Sequence, residues 1–205
     1  MRVLRDSSAD EMVAEFLRAE INSRRFGHVK GYVTIVGLSL DQVERPNLTD
    51  PSENQRRAAA LSLFRGWPTG GLFADWPLEA AWRVVALDRE DLSRLYYAGT
   101  PEWRDLSGGS FLVADGARRL KERDPRLNEA ADHIQSIRAI AGLIRSGQSF
   151  PLMLATGPMD GHPIVMAEGH ARMTAYVMED GAEGLELIHA AAPLEDLELC
   201  VGDHE

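Results

Sequence analysis

Residues 163–176, PIVMAEGHARMTAY, place an acid, a glycine, a histidine and an arginine close together in the chain. The apolar run before Glu168 predicts a strand, and the run that starts at His170 predicts a helix. Gly169 between them permits a sharp turn and a close approach of a ligand to the backbone. The first amides of a helix have no intrahelical partner and lie at the positive end of its dipole, so this corner predicts an anion site that suits a phosphate.

Each side chain of the corner has a role that suits a phosphate ligand. Arg172 lies one turn into the predicted helix, where its guanidinium can bind two phosphate oxygens. His170 adds a donor that can also carry a proton. Glu168 can hold Mg²⁺ or accept a proton from a nucleophile. The candidate residues are, for phosphate binding, Gly169, His170, Ala171 and Arg172; for catalysis, Glu168 and His170; and for Mg²⁺, Glu168. A purely structural turn, with Arg172 solvated and Glu168 capping its own helix, stays open as the alternative.

Further acids could face this corner. Asp88, Glu90 and Asp91 lie at the end of a predicted strand at residues 82–88 and could supply a Mg²⁺ ligand or a general base. Acids at the start of a helix are also favoured by its dipole without any function. Asp115 belongs to the segment FLVADGARRL, which repeats the pattern of an apolar run, an acid and Gly, with Arg119 following. This segment predicts either a second phosphate corner or a coincidental turn.

The elements around these residues follow from hydrophobic periodicity and from Gly and Pro punctuation. The predicted helices are 7–25, 50–66, 89–97, 117–123, 128–147 and 170–178; the predicted strands are 32–40, 82–88, 111–116 (a strand or turn), 151–156, 163–168 and 185–192; the predicted loops are 66–77 and 99–110. Residues 151–156 and 163–168 should form a hairpin. The mixture of strands and helices predicts the α+β class.

The charge distribution argues against DNA binding. The net charge is −10, and residues 177–205 hold nine acids and no Lys or Arg. A DNA-binding surface normally needs a basic excess, so sequence-specific DNA binding is not expected. No apolar run approaches the ~18 residues of a membrane span, and the first residues do not form a signal peptide, so we expect a cytoplasmic protein without a membrane partner. The single cysteine, Cys200, predicts no intramolecular disulfide.

Three segments in order resemble the ParB/sulfiredoxin superfamily. They are the strand and acidic turn WRVVALDREDLSRL, the helix HIQSIRAIAGLIRSGQSFPLML, and DGHPIVMAEGHARMTAY, which looks like that superfamily's strand–acid–Gly–x–x–Arg–helix phosphate motif. The likeness spans roughly residues 82–178. It implies a small mixed sheet with surrounding helices at 82–192, a nucleotide-binding domain. Residues 1–81 would then be a helix-rich N-terminal extension of unknown role, and 193–205 an acidic tail.

The residues of the corner indicate which activities of that superfamily the resemblance implies for this chain. Sulfiredoxins carry a catalytic cysteine directly after the motif glycine, where this chain has His170, so the resemblance does not imply sulfinic-acid reduction. Partition-type members bind CTP and add a helix-turn-helix domain, which we do not expect here, because only 27 residues follow the predicted motif helix in this sequence and they are acidic. Other members bind ATP and include nucleotide hydrolases, nucleases and a free-serine kinase.

The acid-Gly-His-x-Arg corner resembles this ATP-binding group most closely. It implies binding of ATP or another nucleoside triphosphate with Mg²⁺, followed by hydrolysis or by phosphoryl transfer to an unknown small-molecule acceptor. An ATPase or a small-molecule kinase would fit. Two other functions stay open: a nucleotide-gated or nucleic-acid-associated binding module, and a non-catalytic protein-interaction domain.

Overall fold

The computed structural model describes residues 1–21, 27–74, 76–77, 79–159 and 161–196. Within these ranges the chain forms six strands and nine α-helices. The strands are β1 (Arg2–Asp6), β2 (Ala81–Ala86), β3 (Leu95–Tyr96), β4 (Met153–Gly157), β5 (Ile164–Glu168) and β6 (Glu186–Ala191). The helices are α1 (Ala9–Glu20), α2 (Val29–Ile35), α3 (Leu40–Glu44), α4 (Pro51–Arg65), α5 (Arg89–Ser93), α6 (Pro101–Ser107), α7 (Val113–Lys121), α8 (Asp132–Arg145) and α9 (His170–Met178). The α+β class is confirmed.

All six strands join one mixed sheet, in the order β1-β2-β6-β4-β5-β3. β4 and β6 pair in parallel, as do β3 and β5, and the other neighbours are antiparallel. The sheet separates two helical layers, because successive strand residues point to opposite faces. Val85, Ala155 and Leu187 pack with α6–α9 on one face, and Val84, Leu154 and Ile188 pack with α1–α4 on the other.

The predicted hairpin and the helix after it are confirmed. β4 pairs with β5 antiparallel, with Leu154 opposite Glu168. α9 spans His170–Met178 directly after Gly169, as the sequence pattern predicts. The helix predicted at 50–66 is α4, which has Asp50 as its N-cap and ends at Gly66 in the left-handed region. The helix predicted at 128–147 is α8.

The strand predicted at residues 32–40 is wrong. The segment contributes to the two helices α2 and α3 instead. The β-branched run YVTIV favours a strand locally, but Val29 and Val33 lie one helical turn apart and are both buried against α1 and α4. Ser39 and Gln42 then form a capping box at the start of α3, which fixes the second helix.

The loop predicted at residues 99–110 and the strand or turn predicted at 111–116 are also wrong. The first contains α6, with Pro101 in its first turn and Gly108 in the left-handed region at its end, a combination typical of helix ends. The second runs into α7, whose first turns include Asp115 and Gly116. The acid-Gly pair therefore lies inside a helix.

β1 is a strand that the sequence pattern did not reveal. Its side chains are mostly exposed, so the segment lacks a clear apolar alternation. It pairs antiparallel with β2, and through this contact the N-terminal segment enters the sheet. None of the helices in the described ranges is both long and apolar enough to cross a membrane.

Candidate functional site

Gly169 makes the corner between β5 and α9. Its φ of 90° lies in the left-handed region, which glycine adopts without strain. A Cβ at this position would lie 2.5 Å from Cγ of Met153. The corner therefore requires glycine both for its backbone conformation and for its close contact with β4.

The start of α9 leaves backbone donors without protein partners. No side chain caps the helix at Gly169. Within the part of the chain that the structure describes, the amides of His170, Ala171 and Arg172 donate to no side chain and to no backbone group outside the helix. Such a helix start has the polarity that binds an anion.

Arg172 lies on the first turn of α9, but its guanidinium is bonded within the protein. Nη1 donates to the Pro151 carbonyl at 2.9 Å, and Nη2 donates to a carboxylate oxygen of Glu168. The side chains of Arg172 and Glu168 are only 10% and 14% exposed. The structure thus brings the predicted acid and arginine together as an ion pair, and neither the solvated arginine nor the capping glutamate of the structural alternative is found.

Glu20, the last residue of α1, is a second carboxylate at this corner. It is 7% exposed, and its Oε2 has no hydrogen-bond partner among the described residues. Burial, together with the nearby charge of Glu168, raises the pKa of Glu20 to about 7, although the charges of Arg65 and Arg172 act against the rise. Two neighbouring buried carboxyl groups do not both ionise readily, and one of them then holds a proton near neutral pH.

His170 belongs to an aromatic stack. Its ring is 5.0 Å from the Trp103 ring with an interplanar angle of 10°, and 6.2 Å from the ring of Tyr97. Nε2 accepts the Ala98 amide at 3.3 Å, and burial lowers the pKa of His170 to about 4. The imidazole is therefore neutral near pH 7. In this conformation it secures the 97–98 segment, and its side chain is not directed to a phosphate at the helix start.

Asp88 and Glu90 have contacts of their own at α5. Asp88 is the N-cap and accepts the Asp91 amide at 3.0 Å, and it also contacts the Met1 amino group at 3.1 Å. The bond from the Asp91 amide, together with the bond and charge of the Met1 amino group, lowers the pKa of Asp88 to about 2. Glu90 is exposed and pairs with Arg94 at 3.4 Å. These contacts match the helix-start alternative, and no contact joins either acid to the corner residues in the described structure.

Of the two alternatives left open for Asp115 and Arg119, the second phosphate corner is not found, because both residues lie within α7. Asp115 lies in the first turn of α7 and pairs with Arg118 at 3.1 Å. Arg119 is buried; it bonds Asp124 at 2.8 Å and the carbonyl oxygens of Asp105 and Leu106 at 2.6 and 2.8 Å. Arg119 therefore satisfies the end of α6. The segment repeats the acid–glycine pattern of the β5–α9 corner, but its glycine has a different role. A Cβ at Gly116 would lie 2.5 Å from the Tyr97 hydroxyl, so this contact requires glycine.

The chemistry available at the corner comes from open amides, one guanidinium and two carboxyl groups. In the described ranges, no group of three or more His, Cys, Asp or Glu side chains could hold a metal ion. Mg²⁺ is usually bound by one or two carboxylates together with phosphate oxygens and water. Glu168, with the unpartnered Glu20 oxygen nearby, is therefore compatible with Mg²⁺ that arrives with a phosphate ligand.

Sequence reasoning missed Glu20. It lies in the segment treated as an extension of unknown role, and an acid at the end of an amphipathic helix ordinarily points to solvent. Its one signal in the sequence is its position between Leu17 and Ile21, two apolar residues of the helical repeat. The structure buries both of them fully. Most of the acidic tail predicted at 193–205, including Cys200, lies outside the described residues.

The chain was compared with protein-family models, with characterised proteins and with solved structures, and none of them gives a significant match. The resemblance to the ParB/sulfiredoxin superfamily therefore stays a prediction from the motifs.

Proposed function

We propose that this protein binds a nucleotide, with ATP as the expected one, through its phosphate groups at the corner formed by Glu168, Gly169, His170, Ala171 and Arg172. With Mg²⁺ bound, the corner would support hydrolysis or transfer of a phosphoryl group to a small-molecule acceptor. The observation that carries the proposal is the uncapped start of α9, with unpartnered amides and Arg172 on the same turn.

The ion pair between Arg172 and Glu168 defines how a phosphate would enter. Arg172 keeps a bond to the Pro151 carbonyl through Nη1, while Nη2 is held by Glu168. A phosphate at the helix start would take Nη2 from Glu168 and leave the other bond in place. Charge-assisted bonds of guanidinium to phosphate match those to carboxylate in strength, so the exchange is feasible.

The exchange gives Glu168 a role with Mg²⁺. A carboxylate released from Arg172 is free to bind a cation, and Mg²⁺ prefers carboxylate oxygens combined with phosphate oxygens. Mg²⁺ would neutralise charge on the transferred group, and Glu168 would hold it there. His170 contributes through its backbone amide at the helix start and through the stack that fixes the corner, because its ring nitrogens face Ala98 and Met166.

Binding of ATP to the parent protein and to Arg172 variants tests the proposal. Charge-assisted bonds contribute roughly 1.5–3 kcal/mol, so Arg172→Ala should weaken ATP binding by about ten- to a hundredfold, at 1.4 kcal/mol per decade. Arg172→Lys keeps the positive charge but cannot bind two oxygens in parallel, so its ATP affinity should fall between those of the parent and Arg172→Ala. Isothermal titration calorimetry measures the affinities, and circular dichroism confirms that each variant is folded.

Arg145→Ala is the matched control. Arg145 pairs with Glu179 at 2.6 Å beyond the opposite end of α9, so its loss removes an arginine–glutamate pair from the same region and should leave ATP affinity unchanged. A folded Arg172→Ala protein that binds ATP, CTP and GTP as the parent does would contradict the proposal. The protein-interaction alternative would then be the better account.

A further inference from the structure

Helix α1 is held near the corner by a hydrogen bond between residues that lie far apart in the sequence. Oε2 of Glu15 accepts the Leu152 amide at 3.1 Å, and the next residue back, Pro151, accepts Arg172 at 2.9 Å. The short 151–152 segment therefore contacts α1 on one side and the guanidinium of the corner on the other. Glu20 lies five residues further along α1, close enough to Glu168 for the two carboxyl groups to interact.

The carboxyl group of Glu20 has unused bonding capacity. It is buried, it lies within hydrogen-bonding reach of Glu168, and it is close enough to Arg65 and Arg172 to feel their charges. Its Oε2 nevertheless has no partner among the described residues, and the two bonds of Arg172 go to Pro151 and Glu168. A buried carboxyl oxygen without a partner is costly, and in this pair either a proton shared with Glu168 or a bound cation would satisfy it.

The ligand chemistry of this group favours a hard divalent cation. One carboxyl group from the end of α1 and one from the end of β5 lie close together, and hard cations prefer carboxylate oxygens over other protein ligands. Without a cation, one of the two groups keeps a proton, because two neighbouring carboxylates would repel each other, whereas a divalent cation can replace that proton and bind both. Arg172 holds only Oε2 of Glu168, so Oε1 can bind the cation without a phosphate, and a phosphate that draws Nη2 away would add further oxygen ligands.

We propose that Glu20 and Glu168 together bind a divalent cation, with Glu20 as the ligand that the N-terminal segment adds to the corner. The inference rests on the proposed function, in which Glu168 alone was assigned to Mg²⁺, and it makes residues 1–21 part of the site rather than an extension of it.

Mn²⁺ binding in the absence of nucleotide tests this inference. Mn²⁺ is titrated into the full-length chain, and the free ion is measured by electron paramagnetic resonance. We expect the parent to bind one ion at the corner and Glu20→Gln to weaken the affinity by about tenfold or more, since Gln removes a charged ligand. Glu20→Asp, which keeps the carboxylate, should bind Mn²⁺ more tightly than Glu20→Gln.

Glu15→Gln is the matched control. Glu15 is on the same helix and is buried to a similar degree, at 9% exposed against 7%, but it is already bonded to Leu152 and Arg18. Its Gln variant should bind Mn²⁺ as the parent does. The inference is overturned if the parent binds no Mn²⁺ or if Glu20→Gln keeps the parental Mn²⁺ affinity. It is also overturned if Glu15→Gln loses as much Mn²⁺ affinity as Glu20→Gln does.

ATP binding in EDTA separates this inference from the proposed function. Retained ATP affinity without Mn²⁺ binding would overturn the cation site and leave the phosphate corner standing. Mn²⁺ binding that depends on Glu20, without any ATP affinity, would support the cation site and contradict the proposed nucleotide binding.

Discussion

At the scale of single residues, Glu20, His170 and His189 have strongly shifted pKa values. Burial lowers the pKa of His170 and of His189 to about 4, and burial with the charge of Glu168 raises the pKa of Glu20 to about 7. His189 lies in β6, and neither of its ring nitrogens has a partner among the described residues. All three shifts favour the neutral form of the side chain.

These shifts have opposite effects on the free energy of unfolding. The unfolded histidines bind more protons between pH 4 and 6.5, so their contribution is complete above pH 6.5 and is lost as the pH falls through 4. Folded Glu20 binds more protons between pH 4.5 and 7, so its contribution is complete below pH 4.5 and is lost as the pH rises through 7. Each group contributes at most about 3 kcal/mol, at 1.36 kcal/mol per pKa unit.

Glu20→Gln should therefore make stability rise more steeply with pH between pH 4.5 and 7. The variant removes the term that falls with pH and keeps the histidine terms that rise. Urea denaturation across this pH range measures the difference, and His189→Gln should change the slope in the other direction. Parallel profiles for the parent and Glu20→Gln would show that Glu20 ionises normally in the folded protein.

The residue types at the corner could be predicted from the sequence, but their contacts could not. Glu168, Gly169 and Arg172 are adjacent in the chain, so the strand–glycine–helix pattern places them correctly. The contacts of His170 with Trp103 and Ala98, and of Arg172 with Pro151, join distant segments. No local pattern encodes such contacts, and none encodes the approach of Glu20.

At the scale of elements, Gly116 shows how packing can oppose helix propensity. Gly in a helix interior is less stable than Ala by roughly 0.5–1 kcal/mol, so propensity alone predicts that Gly116→Ala stabilises α7. The structure places a Cβ at this position 2.5 Å from the Tyr97 hydroxyl, which bonds Thr174 of α9 at 2.7 Å.

Gly116→Ala should consequently destabilise the protein, by about 1–3 kcal/mol as for other overpacked cores. Gly142→Ala is the control, because a Cβ in that position of α8 meets only a distant arginine nitrogen at 3.9 Å and should stabilise by roughly 0.5–1 kcal/mol. Urea denaturation measures both. If the two changes had the same sign, the contact between α7 and Tyr97 would not be the reason for glycine.

The predictions of elements failed where local and tertiary preferences disagree. Residues 33–36 are β-branched, but Val33 is buried one helical turn after Val29, so the segment follows a helical repeat. Residues 99–110 look like a loop because of their glycines, while Pro101 and Gly108 in fact mark the two ends of α6. α9 and α4 were predicted well because their start and stop residues agree with their apolar faces.

At the scale of the whole molecule, the corner lies where the two helical layers meet the same strands. α9 packs on one face of the sheet with α7 and α8, and α1 contacts β4 from the other. The N-terminal helices share a core with β2, β4 and β6, so both parts of the chain build the surroundings of Glu168. The division into 1–81 and 82–192 stays a prediction, as does the ParB/sulfiredoxin-like fold.

The most direct test of a phosphate site at the corner compares how tightly the parent and Glu168→Gln bind ATP in the absence of metal. In the parent, Glu168 occupies Nη2 of Arg172 and repels a phosphate. Gln at this position releases the guanidinium and removes the negative charge. A merely structural glutamate would have no such effect on ligand affinity.

Isothermal titration calorimetry in EDTA should show that Glu168→Gln binds ATP about tenfold more tightly than the parent, a gain of about 1.4 kcal/mol. Glu179→Gln, which releases Arg145 beyond the other end of α9, should bind ATP as the parent does. An unchanged or weaker affinity in folded Glu168→Gln would mean that ATP does not reach Arg172, and it would contradict the assignment of the corner as a phosphate site.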